Sequence, residues 1–240
     1  MNIKAGAVLQ ADVEDITLNA DALNNAGTLK LDGTGKFNYT LANKDATLDI
    51  LSSADIQATK TISNKVQNEG MLKIDAANIG NTVTNNNKLT ISSTGTETLA
   101  NTITGTGNIV VTGTVTSNAT ISQENLTVEN MANFTADLAK LTINTNNVIT
   151  NNGTFKLNVS EKSTLQNTIN GTGSFVLVSG DMTIGNGKEI KQNEKVLIAE
   201  KKLLEKQKEE KEKRKQYEEK REQKGESLKE LSERIRKEAK

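Results

Sequence analysis

Two stretches of the chain repeat one another: positions 99–111, LANTITGTGNIVV, and positions 165–177, LQNTINGTGSFVL. The likeness continues upstream at the same offset, where VTNNNKLTI (83–91) matches ITNNGTFKL (149–157), apolar residue for apolar residue. A shorter trace, GTGKF, stands at 33–37. A chain that repeats itself is built from stacked units that bury their apolar faces against one another. A one-off globular core does not fit.

The content of the repeat is a short strand. Apolar pairs spaced by two recur at Leu29/Leu31, Leu48/Ile50, Leu72/Ile74, Leu89/Ile91 and Ile109/Val111, then at Leu126/Val128, Leu141/Ile143, Phe155/Leu157 and Phe175/Leu177. Side chains two apart on a strand share a face. From Leu29 to Phe175 the mean interval is about 18 residues, short for a repeat and long for a hairpin. The widest interval runs from Leu48 to Leu72 and the narrowest from Leu141 to Phe155. Between the pairs lie Asn, Gly, Thr, Ser and Asp, as in 24–27, 68–70, 85–87 and 151–153, and Asn and Gly tolerate the positive φ of a sharp corner. The pattern predicts an all-β fold: a right-handed, single-stranded parallel β-helix of about nine coils over residues 1–193, stacked at ~4.8 Å. Asn amides then hydrogen-bond along ladders, and Gly-Thr-Gly at 105–107 and 171–173 forms corners.

Composition supports this. With 2% aromatics and no Trp, Pro, Cys or His, burial must come from stacked aliphatics. The net charge of zero is a cancellation: residues 1–193 carry 13 Lys and 17 Asp or Glu, and residues 194–240 carry 17 Lys or Arg and 13 Glu. All the Asn and Thr lie in the first region and all the Arg in the second, so a boundary is expected near Asn193. The N-terminus has no apolar core of signal-peptide length, and no window approaches the ~20 apolar residues of a membrane span.

NNAGTLKL (24–31), TNNGTFKL (150–157), TITGTGNIVVTG (102–113) and TINGTGSFVLVSG (168–180) resemble the passenger-domain repeats of bacterial autotransporter surface proteins. The resemblance covers residues 20–190 and is one of repeat grammar. It implies a β-helical rod at the bacterial cell surface, on the outer membrane or outside the cell, adhesin-like and non-enzymatic. The family pattern also has a signal peptide and a membrane barrel. Neither is visible, so a fragment or split gene is the expected account, with a cytoplasmic location as the other.

Catalytic chemistry has few residues to draw on. Without His or Cys, nucleophilic triads lack their base and zinc sites their usual ligands. A carbohydrate-active site would need paired carboxylates ~5–9 Å apart. The candidates are Asp12, Glu14 and Asp15, or Asp45 and Asp49, and exposed corners account for both groups. Gly-Thr-Gly lacks the spacing of a phosphate loop, and the calcium-binding nonapeptide is absent. No catalytic, cofactor-binding or metal residue is expected.

The second region predicts a charged helical tail over 194–240: a helix at 194–224, a break at Gly225 and a capping-box restart at Ser227–Glu230 giving a helix at 227–239. Glu205/Lys208, Glu209/Lys213, Glu210/Arg214 and Glu218/Arg221 are at helical pair spacing. The apolar patch at 196–204 is expected to cap the β-helix. Leu228, Leu231 and Ile235 form an apolar face for self-association, by fold-back or coiled-coil-like pairing. Glu interleaved with Lys and Arg argues against nucleic acid as a partner. Three functions compete: a surface protein binding a host, cell or matrix macromolecule; a cytoplasmic filament-forming scaffold; and a polysaccharide-active enzyme.

Overall fold

Alternating apolar and polar residues give each short segment one dry and one wet face, and in the computed structural model these segments stack in parallel. The structure describes residues 1–18, 20–193 and 196–198, with Glu233 and Arg236 singly. Three sheets form the sides of a solenoid. The first has eight strands: Val8–Asp12, Thr28–Asp32, Thr47–Ile50, Lys65–Asn68, Val83–Asn85, Ile103–Thr104, Ile121–Gln123 and Leu141–Ile143. The second has nine, from Thr34–Phe37 to Ile190–Gln192. The third has six, from Thr96–Leu99 to Val196–Ile198. Before Thr96 the third side is closed by single bridges, Ala22 to Thr40, Leu41 to Ile62 and Ile62 to Ile79. After Ile143 the first side is taken over by a separate pair, Ser163–Leu165 and Met182–Ile184.

Leu9, Leu29, Leu48, Val66, Val83, Ile103, Ile121 and Leu141 stand in one ladder, one rung per coil, and the solenoid makes about ten turns. Both members of all nine predicted apolar pairs are buried, from Leu29 and Leu31 to Phe175 and Leu177. Each fully buried aliphatic contributes about 1.5–3 kcal/mol. On the third sheet Phe134, Phe155 and Phe175 stack in register, with ring centroids 5.8 and 6.0 Å apart.

The repeat extends further through the chain than the two matching stretches suggest. Three strands end in an Asp that caps a 3-10 turn: Val8–Asp12 before Val13–Asp15, Met71–Asp75 before Ala76–Asn78, and Asn133–Asp137 before Leu138–Lys140. Each Asp carboxylate accepts the N–H two residues on, from Glu14, Ala77 and Ala139 at 3.0, 3.2 and 3.0 Å. These mark three copies of one unit, beginning at Val8, Met71 and Asn133. The first copy's opening strand lies on the first sheet, the second's on the second, and the third's on the third. The same shift holds for Thr28–Asp32, Lys88–Ser92 and Thr154–Asn158, and for Thr47–Ile50, Asn108–Val111 and Ser174–Ser179. In a stacked repeat the unit need not be a whole number of coils, and one of about 62 residues on coils of about 19 residues makes three and a third turns. Each copy is therefore displaced by one side of the solenoid. GTGKF at 33–37 is accordingly the counterpart of GTETL at 95–99, not of the Gly-Thr-Gly corners.

The helical tail requires correction. Where the described residues enter it, Val196–Ile198 is a strand, the outermost of the third sheet, and continues the solenoid rather than capping it with a helix. Its residues fall where the third copy calls for a strand, as Lys65–Asn68 and Asn125–Val128 do in the first two. No α-helix is among the elements of the described residues, and Glu233 and Arg236, both exposed and helical in backbone, do not make one. The expected break at Gly225, the restart at Ser227 and the face of Leu228, Leu231 and Ile235 lie outside the described residues. The chain divides into two compact units, Met1–Leu197 and Ile198–Lys240.

Candidate functional site

The carboxylates singled out by sequence turn out to be structural or dispersed. Asp12 is the first of the three turn caps, and Glu14 and Asp15 are exposed on the turn it caps. Asp45 is exposed in the corner before Thr47–Ile50, and Asp49 pairs with Lys30 on the neighbouring coil at 3.3 Å. Asp32, opposite Asp12 in the register, accepts from the Ser53 hydroxyl at 2.6 Å and the Gly33 N–H at 2.8 Å, which together hold its pKa below the usual value. At Asp137 burial works to raise the pKa. The N–H of Ala139, the hydroxyl and N–H of Ser160, and the Lys140 charge outweigh it, so the net displacement is again downward. A general acid needs the opposite displacement. Among the described residues no cluster of three or more acidic side chains could hold a metal ion.

The asparagines do more than turn corners. Asn25, Asn85 and Asn151 occupy the same place in the three copies and point into the core, each no more than 1% exposed. Each amide N–H bonds a carbonyl on the next coil, Thr47, Asn108 and Ser174 respectively. Each also reaches past that coil to an amide oxygen two coils on: Asn64 at 2.8 Å, Gln123 at 2.6 Å and Gln192 at 2.6 Å. In the second and third copies the skipped rung is Gly105 or Gly171, the first glycine of each Gly-Thr-Gly. These glycines have φ of 116° and 142°, and a Cβ there would lie 2.2 or 2.1 Å from the carbonyl oxygen of Asn85 or Asn151. The motif is a corner, as predicted. It is also a gap that lets a buried amide meet a second one, buried at Gln123 and half-buried at Gln192, which matters because an unpaired buried amide costs about 1–3 kcal/mol. The Oδ1 atoms of Asn68 and Asn151 have no partner, each facing an aliphatic rung, Ile50 or Val128.

The place where the stacking breaks is a cavity of about 370 Å³, between the end of the first sheet and the separate pair of strands that follows. Leu138, Leu141, Ile143, Ile149 and Leu165 form its apolar wall. Thr142, Thr145, Ser163, Thr164, Gln166 and Asn167 supply hydroxyls and amides. Among the described residues no carboxylate lines it, and the charge nearest its rim is the Lys188 ammonium, which donates to the Thr145 carbonyl at 2.7 Å. Asn167 spans its rim, donating to the carbonyls of Asn144 at 2.8 Å and Asn147 at 3.0 Å. None of these residues is a candidate by sequence. They become visible only when the first and third copies are aligned.

No family model, curated protein or solved structure matches the chain. The likeness to autotransporter passenger repeats thus rests on the quoted sequence phrases alone.

Proposed function

We propose that the protein is a non-enzymatic β-solenoid whose outer faces bind a macromolecule of a host, a cell surface or a matrix, as the passenger-like sequence grammar implies. The observation behind this reading is the character of the outer faces. On the third sheet Thr96, Thr114, Asn133, Thr154 and Ser174 form one outward row in register, and Thr98, Thr116, Thr135, Lys156 and Val176 a second. Rungs repeat every ~4.8 Å, so the first row presents a regular, uncharged array of hydroxyls and amides, and the second continues it as far as Lys156. Such an array suits recognition by many weak hydrogen bonds rather than turnover. The test is adhesion of beads coated with purified protein to cells and to matrix components. Binding that falls when Thr96, Thr114 and Thr154 are replaced by Lys supports the reading, and no binding to any surface sinks it. A surface location is part of the same proposal: added protease should cleave the protein on intact cells.

A second reading, a filament-forming scaffold, draws on the copy-to-copy displacement. Three copies bring the unit back to the side on which it began, so solenoids stacked end to end would keep their sides aligned. Filaments in electron micrographs of the purified chain would favour it over the first.

A further inference from the structure

The 370 Å³ cavity is the place of a side chain that the first copy has and the third lacks. Two positions beyond the strand that stacks on each 3-10 turn stand Tyr39, Asn101 and Asn167. All three hold the segment that leaves the turn. Tyr39 donates its hydroxyl to the Ile16 carbonyl and accepts the Leu18 N–H, both at 2.9 Å. Asn101 donates to the Ile79 carbonyl at 2.8 Å. Asn167 donates to Asn144 and Asn147.

In the second copy little is left to fill. Ile79 is followed closely by the next strand at Val83, and Glu97 lies over the turn, accepting the Ala77 N–H at 3.1 Å. In the first and third copies the matching segment is twice as long, from Ile16 to Asn24 and from Leu141 to Ile149. The first copy fills the extra space with the Tyr39 ring, edge-on to Phe37 at 5.5 Å. Val13, Ile16 and Leu18 lie on the turn and the segment that Tyr39 holds, and their counterparts Leu138, Leu141 and Ile143 line the cavity. Leu165 stands for Phe37, Ser163 for Glu97, and Asn167 is too short to replace the phenol. A ring-sized space with a hydrogen-bonding rim is left open.

We propose that this cavity is a binding site for an uncharged, hydroxyl-bearing ring, namely a pyranose of a neutral glycan. Its volume is within the range of small-molecule sites. A cation would lose its hydration with no carboxylate in the lining to replace it, and the Lys188 ammonium that could face an anion is already held at the rim by the Thr145 carbonyl at 2.7 Å. A purely apolar ligand would strip water from the hydroxyls of Thr142 and Thr145 and the amide of Gln166 without pairing them, whereas Ser163 already donates to the Glu161 carbonyl at 2.8 Å. A sugar ring offers hydroxyls at its edge to that polar rim and C–H groups at its face to Leu138 and Leu165. A lone phenol has one hydroxyl, enough for the two partners of Tyr39 but not for this longer polar row. The site deepens the proposed surface-binding role, and rests on it only for where the glycan is displayed.

The experiment screens the full chain against an array of neutral and acidic glycans, then titrates the best neutral monosaccharide by calorimetry. Two variants close the cavity with residues the protein itself uses there: Asn167→Tyr, as in the first copy, and Ser163→Glu, as in the second. With circular dichroism unchanged, both should weaken binding by about tenfold or more, roughly 1.4 kcal/mol. Thr106→Lys, on an exposed corner elsewhere, should leave it intact. Absence of any neutral-glycan binding, preference for an acidic glycan, or binding that survives both closures overturns the site. Bead adhesion that persists in both variants while no glycan binds would remove the pocket and leave the surface reading standing. Glycan binding without adhesion would do the reverse.

Discussion

The first and third copies make the same capped turn and the same long departure from it, yet one is plugged and the other open. The difference is a single large side chain. In the first copy the phenol of Tyr39 packs beside Phe37 and pins the departing segment through its hydroxyl. In the third, Asn167 makes the backbone bonds without the ring, and a cavity remains. A hydrogen bond to a carbonyl of the departing segment recurs in all three copies, at Ile16 and Ile79 in the first two and further along, at Asn144 and Asn147, in the third. The volume behind it varies, and where it stands open the first sheet ends at Ile143 and a separate pair of strands follows. Repetition thus maintains a scaffold while single positions diverge.

That comparison can be broken most severely at the core that all three copies share, here in the second and third. A lysine at Ile109 or at its third-copy counterpart Phe175, 0% and 1% exposed, places a charge among stacked aliphatics with no partner. Either variant should fail to fold or should aggregate, whereas Thr106→Lys and Thr172→Lys on exposed corners should stay within about 0.5 kcal/mol of the parent. Equal tolerance of both kinds of change in urea unfolding would contradict the solenoid core. A more pointed change is Tyr39→Asn, which gives the first copy the residue of the third. It should cost about 2–4 kcal/mol through the cavity it opens. A much smaller loss would mean the ring contributes little packing.

The buried amides come next. Asn85→Ala strips the buried amide oxygen of Gln123 of its donor and the Asn68 amide of its acceptor, and Asn151→Ala strips only the half-buried oxygen of Gln192; both should cost about 1–3 kcal/mol, the first the more. Denaturant midpoints that fail to rank Asn85→Ala as the costlier change would show that the buried partners Gln123 and Asn68 do not set the loss. The smallest effect is expected at the third turn cap. Asp137 has a folded-state pKa below that of an ordinary carboxylate, so it stabilises the protein above about pH 4. That contribution is lost as pH falls through the folded value. Asp137→Asn should therefore be less stable than the parent at neutral pH, with the gap closing in acid. A gap independent of pH would assign the loss to geometry rather than charge.

Much of the architecture is legible from residues alone. The spacing of Leu89/Ile91 or Phe155/Leu157 identifies inward pairs because strand side chains alternate strictly. Gly-Thr-Gly reads as a corner because glycine at positive φ needs no tertiary help. The start of the tail departs from its expectation for a related reason. Val196–Ile198 lies beside strong helix formers, and local propensity favours a helix there, but a strand edge waiting on the third sheet outweighs it. The pocket is illegible because its residues are ordinary Thr, Ser and Asn. Only the absence of a tyrosine distinguishes them, and an absence has meaning only against a counterpart.

The uneven spacing of the apolar pairs marks the limit. Steps of intermediate length, such as Leu72 to Leu89 or Phe155 to Phe175, join strands on one sheet. The longest step, Leu48 to Leu72, carries the pattern from the first sheet to the second. The two shortest, Leu126 to Leu141 and Leu141 to Phe155, carry it onward to the first and then the third. Sequence by itself determined that the chain coils, which side chains point inward and about how long a coil is, since these follow from the alternation of a strand and from repetition. Which side of the solenoid each segment occupies was decided by tertiary structure alone. All three sides bury the same aliphatics, so only the hydrogen-bond register between coils can tell one side from another.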